Sequence, residues 1–161
     1  MATVHKIIPH LWYAKDAEQA ARFYASIFPD SRVDRVVTIP AETPGGPAGS
    51  GVIVEFTLLG QPFMAISAGP LDEFNHSVSF LVNCDTQEEI DRYWDALAKD
   101  GTIEPCGWVR DKYGLCWQIA PTALQEMMAD KDVAKVKRVT EAFLKMKKLD
   151  LAAIQRAFDG T

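Results

Sequence analysis

Apolar residues along this chain recur with two different periods, and the switches between them outline the elements. Lys6–Tyr13 has the composition of a strand. Asp16 is then placed to cap a helix running to about Phe28, whose apolar positions Ala20, Phe23, Tyr24 and Ile27 recur at helical spacing. Pro29-Asp30 ends it, and Arg32–Ile39 reads as a strand. Pro40–Gly51 holds three prolines and four glycines, a composition that resists regular structure and predicts a mobile surface loop. Val52–Leu59 alternates cleanly, and Gly60-Gln61-Pro62 turns it into Phe63–Ser67.

The same order then begins again. Ser77–Asn83 reads as a strand, and Thr86–Lys99 as a helix with Thr86 at the N-cap and Glu89 three residues on, a capping box. Asp100-Gly101 stops it. At an offset of about 70 residues Arg22-Phe23-Tyr24 answers Arg92-Tyr93-Trp94, Asp30 answers Asp100, and Leu11 answers Leu81. Cys106–Pro121 then predicts a β-hairpin: a strand through Arg110, a turn at Asp111–Gly114, and a strand Leu115–Ala120. Leu115, Trp117 and Ile119 fall on its core face, Cys116, Gln118 and Ala120 on the other. After Pro121 the period is helical. Thr122 caps a short helix to about Ala129, and Asp130–Lys147 and Asp150–Phe158 carry apolar stripes that need covering, by the sheet or by a partner subunit.

The expected fold is therefore α+β, two βαβββ modules (1–70 and 71–121) followed by a helical C-terminal extension (122–161), the whole forming a single domain. Composition changes this picture little. An apolar share of 48% is ordinary for a globular chain, and a net charge of −5 gives no reason to expect nucleic acid as a partner. The basic stretch Lys135–Lys148 reads as a solvated helix face. Three cysteines without a CxxC spacing indicate neither a disulfide framework nor a zinc site. Met1–His10 lacks a charged segment followed by an apolar run, and no window is apolar enough to span a bilayer. The expectation is a cytoplasmic protein that engages no membrane.

Several pieces together resemble the vicinal oxygen chelate superfamily, which holds glyoxalase I, bleomycin-resistance proteins and extradiol dioxygenases. Within it they are most similar to the PhnB-like group often labelled 3-demethylubiquinone-9 3-methyltransferase. These pieces are Ile8-Pro-His-Leu-Trp-Tyr, Phe23-Tyr-Ala-Ser-Ile-Phe-Pro-Asp-Ser31, Gly60-Gln-Pro-Phe-Met-Ala, Cys106-Gly-Trp, Asp111-Lys-Tyr-Gly, Trp117-Gln and Lys145-Met-Lys-Lys-Leu-Asp-Leu151. The resemblance implies U-shaped mixed sheets around a cavity, a small-molecule ligand, and commonly a homodimer. In the superfamily's metalloenzymes four inward side chains hold a divalent ion. The matching positions fall near Ile8, Ser67, Ser77 and Gln118, none of them a good ligand for such an ion. No resident cofactor is expected; a metal would require register slips that recruit His10, His76 and Glu55. Methyl transfer is not supported either, because the Gly-dense piece Gly45–Gly51 is interrupted by proline and lies between antiparallel strands.

Candidate site residues follow from which face each strand turns inward. With Leu11 and Tyr13 toward the helices, His10 and Trp12 face the cavity. His10 is then a candidate general base, or a histidine bonded to a neighbouring strand or water. Trp12 and Trp108 are candidates to stack on a flat ligand, or aromatic core. Glu55 is either solvent-exposed or an inward carboxylate that acts as acid or base, with a raised pKa if no cation lies beside it. Gln118 is the best candidate for ligand contact, since a half-buried amide needs partners. Ser67, Ser77, Ser79 and Cys116 are polar lining. Two functions follow: a metal-free binding protein that encloses a small molecule, aromatic or otherwise, or an enzyme using a metal or the His10/Glu55 pair.

Overall fold

The computed structural model describes residues 5–70 and 72–161. Met1–Val4, within the segment expected to hold no leader, and Leu71, the expected start of the second module, lie outside the described residues. The chain divides into two compact units, Met1–Asp72 and Glu73–Thr161.

The first unit runs β1 (His10–Tyr13), α1 (Ala17–Ile27), β2 (Arg32–Thr38), β3 (Val52–Leu58) and β4 (Gln61–Ser67). Its sheet has the order β1-β4-β3-β2, with β1 parallel to β4 and the other pairs antiparallel. One face packs on α1: Leu11, Tyr13, Val54, Phe56, Phe63 and Ala65 are buried along with Ala20, Ala21 and Tyr24 of the helix. The Phe56 and Phe63 rings stack 5.4 Å apart, and the buried Tyr13 and Tyr24 hydroxyls meet at 3.1 Å, each satisfying the other. The Asp16 side chain makes no capping bond. The Ser67 hydroxyl does this work instead, accepting from the Ala17 amide at 2.9 Å. The Pro40–Gly51 loop is folded back on itself rather than loose. Ile39 donates to Gly51 O and Gly49 to Ile39 O, and Thr43 and Gly46 exchange both backbone bonds.

The second unit repeats the plan with β5 (Phe80–Cys84), α2 (Gln87–Ala98), β6 (Thr102–Ile103), β7 (Trp108–Arg110) and β8 (Cys116–Pro121). The order is β5-β8-β7-β6, again with one parallel pair, β5 with β8. Val82, Val109, Trp117 and Ile119 face Ile90, Trp94 and Leu97 of α2. Thr86 caps α2 by accepting from the Glu89 amide, but the Glu89 carboxylate reaches back to the Asp85 amide instead of that of Thr86. The expected strand from Ser77 starts only at Phe80, and Ser77 lies in an exposed turn. Asp30 and Asp100, the two helix breakers, both adopt positive φ (49° and 61°), as their matched positions suggest. Leu11 and Leu81 do not match: Leu11 is buried against its helix, whereas Leu81 is 45% exposed on the opposite face. The connection from β5 to α2 is one residue shorter than that from β1 to α1, and a single-residue shift turns a strand over.

The extension forms α3 (Thr122–Met128), α4 (Val133–Phe143) and α5 (Leu151–Asp159). Thr122 begins α3 rather than capping it, and its hydroxyl donates to Asp85. Met127, Val139, Leu149 and Ile154 make a second small core, with Ala120 of the sheet packed against it. The apolar stripes are thus covered largely within the chain and are not left whole for a partner subunit. Arg138 donates to Ala157 O and Phe158 O, the free carbonyls at the end of α5. Among the described residues no helix is long and apolar enough to cross a membrane.

Candidate functional site

Each sheet has a helix-covered face and an open face, and strand register decides which side chains reach the open one. In the first unit a row His10–Met64–Glu55–Arg35 crosses all four strands, and a second row Trp12–Ile66–Ile53–Val37 runs beside it. A bulge at Asp34 puts Arg35, and not a second acid, opposite Glu55. Both carboxylate oxygens of Glu55 are taken by the Arg35 guanidinium, whose Nε lies 3.1 Å from Oε2. The pair raises the pKa of Arg35, mainly through its hydrogen bonds to Glu55. Glu55 therefore has a cation beside it and is not the lone inward carboxylate that the acid–base reading required. His10 is exposed and stands two strands away, with Met64 between. Trp12 is half-buried, and its indole N–H donates to Gly69 O at 2.8 Å. Ser67 is not on this face. It is 5% exposed on the helix side, where it caps α1.

In the second unit the open face carries Leu81–Gln118–Trp108 in one row and Cys116–Arg110 in the next. The Gln118 amide nitrogen donates to the Ser79 hydroxyl at 2.9 Å, so two candidates from distant parts of the sequence are joined. Trp108, Gln118, Leu81 and Ala120 line a cavity of about 280 Å³. Cys116 points to the same side but is fully buried. Burial, and then the nearby Glu104 carboxylate, push its thiol pKa up, making it a poor nucleophile. Ser77 is exposed, its backbone amide held by Asn75 Oδ1.

Sequence reasoning missed Glu104. Its Oε2 is hydrogen-bonded to His76 Nε2 at 2.6 Å, and Arg110 Nε lies 3.8 Å from its other oxygen. The His76 ring lies 5.9 Å from that of Trp108. No local motif marks this pair, which is 28 residues apart in sequence. The extension residues that share the cavity were also missed as site residues; the signal for them was the uncovered apolar stripe.

The hairpin that carries Trp108 and Gln118 is pinned by Asp111. Only 3% exposed, it accepts from the Tyr113 amide (2.8 Å), the Leu115 amide (3.2 Å) and the Trp117 indole N–H (2.8 Å). Gly114 closes the turn at φ 87°.

The residues at the four superfamily ligand positions do not fit a divalent ion. Ile8 offers no donor atom, the Ser67 hydroxyl is engaged on the helix side, and Ser77 and Gln118 are neutral oxygen donors. Among the described residues no three His, Cys, Asp or Glu side chains are grouped so as to hold a metal.

Two βαβββ units with parallel outer pairs and open faces define the vicinal oxygen chelate class. The family model described as 3-demethylubiquinone-9 3-methyltransferase matches residues 5–120, and the chain belongs to that family, the PhnB-like branch of the class. A PhnB protein from Bacillus cereus is 34% identical, with a TM-score of 0.62, over 73% of this chain and 100% of that one. The fosfomycin resistance protein FosX of Listeria monocytogenes shares the fold at 15% identity and a TM-score of 0.56, over 78% and 97% of the two chains. FosX of Mesorhizobium loti does so at 16% and 0.54, over 79% and 100%. No curated protein matches significantly in sequence.

Proposed function

We propose that this chain is a small-molecule-binding protein, and that its second unit holds a flat, uncharged ligand between Trp108 and Gln118. The observation that carries this reading is Gln118 itself. Its amide nitrogen is fixed by Ser79 while its carbonyl oxygen has no protein partner among the described residues, on the wall of a cavity otherwise mostly apolar. A positioned polar group in an apolar concavity is how small-molecule sites obtain orientation and specificity. Methyl transfer finds no support: α1 and α2 follow their strands through Ala14-Lys15-Asp16 and Asp85-Thr86, without the glycines that let a cofactor approach. Calorimetric titration of single-ring aromatics tests the reading. Gln118→Ala should leave the unfolding midpoint nearly unchanged and weaken binding about tenfold, the worth of one hydrogen bond to a neutral group. A large loss of stability with unchanged binding would reassign Gln118 to the core.

A second reading, an acid–base enzyme, is favoured by the His76–Glu104 pair beside the same wall. A carboxylate that holds an imidazole in place is a common way to prepare a general base. Its test is turnover of activated esters or epoxides, which His76→Ala should abolish and Glu104→Gln should lower through loss of the imidazole's anchor. No turnover above that of His76→Ala would exclude it.

A further inference from the structure

The family match stops at Ala120, and the whole Bacillus cereus chain is spanned by 73% of this one. Residues 121–161 lie beyond the span that the family model matches, and they supply half of the residues that line the cavity just described. Leu124 and Met128 of α3, Phe143 at the end of α4, and Leu149 before α5 face Trp108 and Gln118 across it.

These helices are fixed to the sheet. Leu149 is 1% exposed in the second core, and the Cys106 and Gly107 amides donate to Met146 O (2.8 Å) and Lys147 O (2.7 Å). The connection between α4 and α5 is therefore bonded to the turn that leads into β7. It leaves no room for a side chain at Gly107, whose missing Cβ would sit 2.8 Å from Ile119 O and 3.1 Å from Leu149.

The lining defines the ligand. No charged side chain contributes to it, so an ionised ligand would be desolvated without compensation. The volume, about 280 Å³, lies at the small end for ligand sites and suits one ring. The amides of Gln118 and Gln125 are the polar groups of the lining, and the Gln118 carbonyl oxygen is placed to accept from a ligand hydroxyl. We propose that the extension completes a pocket for a neutral single-ring aromatic bearing a hydroxyl, with Phe143 and Met128 setting the size limit. This rests on the binding reading above and adds to it the class of ligand and the residues that select it.

The test uses the full-length protein with phenol, toluene and 2-naphthol as probes, by calorimetry and saturation-transfer NMR. Phenol is expected to bind at least tenfold more tightly than toluene, and Gln118→Leu should erase that preference. 2-Naphthol should be excluded by the wild type and gained at least tenfold by Phe143→Ala or Met128→Ala. Phe143→Leu, which keeps most of the packing, gives a smaller gain in the same direction if Phe143→Ala loosens the helices. Leu144→Ala, at a position 56% exposed, should change nothing. If Gln118→Leu weakens phenol while Phe143→Ala, Phe143→Leu and Met128→Ala leave the naphthol ratio unchanged, the extension does not form the pocket and only the general binding reading survives. If no neutral aromatic binds, or none of these substitutions matters, both fall.

Discussion

Replacing Asp111 by alanine removes the acceptor around which the β7–β8 hairpin is built. Three donors lose their partner: the Tyr113 amide, the Leu115 amide and the Trp117 indole N–H. Tyr113 is half-exposed and its amide can be rehydrated at little cost. Leu115 and Trp117 are each 2% exposed, so their donors would stay dry. An unsatisfied buried donor costs about 1–3 kcal/mol, which gives about 2–6 kcal/mol for the two. Relief of the desolvation that the carboxylate itself suffers offsets part of this, and we expect a net loss near 3 kcal/mol. Asp111→Asn keeps one acceptor for the backbone amides but sets an NH₂ group against either the indole N–H or those amides. It should cost about 1–2 kcal/mol.

Urea unfolding followed by near-UV circular dichroism reads this directly, because the Trp117 signal belongs to the second unit. At about 2 kcal/mol per molar of urea, a 3 kcal/mol loss moves the midpoint by about 1.5 M without altering the slope. A double-mutant cycle with Trp117→Phe isolates the indole bond, and its coupling should exceed about 1 kcal/mol. Asp111→Ala within about 0.5 kcal/mol of wild type would refute the reasoning and leave Asp111 as an ordinary polar turn residue.

Three further outcomes are expected. Gly107→Ala forces a side chain onto Ile119 O at a φ of 80°, and should cost at least about 2 kcal/mol. It should also accelerate hydrogen exchange of the Cys106 and Gly107 amides; unchanged exchange would mean the extension is not docked through them. Among the thiols, Cys84 and Cys116 are fully buried and held above their usual pKa mainly by burial, whereas Cys106 is half-buried. Dithionitrobenzoate at pH 8 should modify Cys106 first, and equal rates for all three would contradict the burial. The Cys84 pKa is pushed up from 9.0 to about 12, so above pH 9 the unfolded chain releases this proton while the folded one keeps it. The associated stability is complete below pH 9 and falls by up to about 1.4 kcal/mol per pH unit toward pH 12. Cys84→Ala should flatten that decline, and an identical slope in both proteins would remove Cys84 as its cause.

Much of the fold was legible because alternation and helical spacing leave little ambiguity in β3, β4, α1, α2 and the hairpin. Leu115, Trp117 and Ile119 could be set on the core side from pattern alone, and they are buried there. The failures came where one residue decides a face. Ser67 was expected on the ligand side from its match to a superfamily ligand position, but the row containing Gln118 in the second sheet corresponds to the row containing Met64 in the first. Asp34 looks like an ordinary strand residue, yet its bulge is what delivers Arg35 to Glu55 and ends the expectation of a lone carboxylate. Glu104 carried no local signal, since its partner His76 is brought to it only by the fold. Cys106 was read as a strand residue. Its φ of 61° was not legible, because few residues other than glycine, asparagine and aspartate take that conformation unless tertiary contacts impose it.

Those contacts tie the site to the hairpin from two sides. Asp111 fixes one end through Trp117 on the core face. Cys106 and Gly107 fix the other end by binding the segment between α4 and α5. Trp108, the next residue, and Gln118, paired directly with it, therefore stand between two anchored points on one rigid element. That placement suits a binding wall, because side chains on a held strand lose little freedom when a ligand arrives. It also makes docking of the extension and occupancy of the pocket interdependent. A molecule touching both Gln118 and Phe143 binds only the docked form, so it stabilises docking by RT ln(1 + [L]/Kd), about 2.7 kcal/mol at a hundredfold excess over Kd. A ligand seated on the sheet alone would leave the extension's exchange rates where they were.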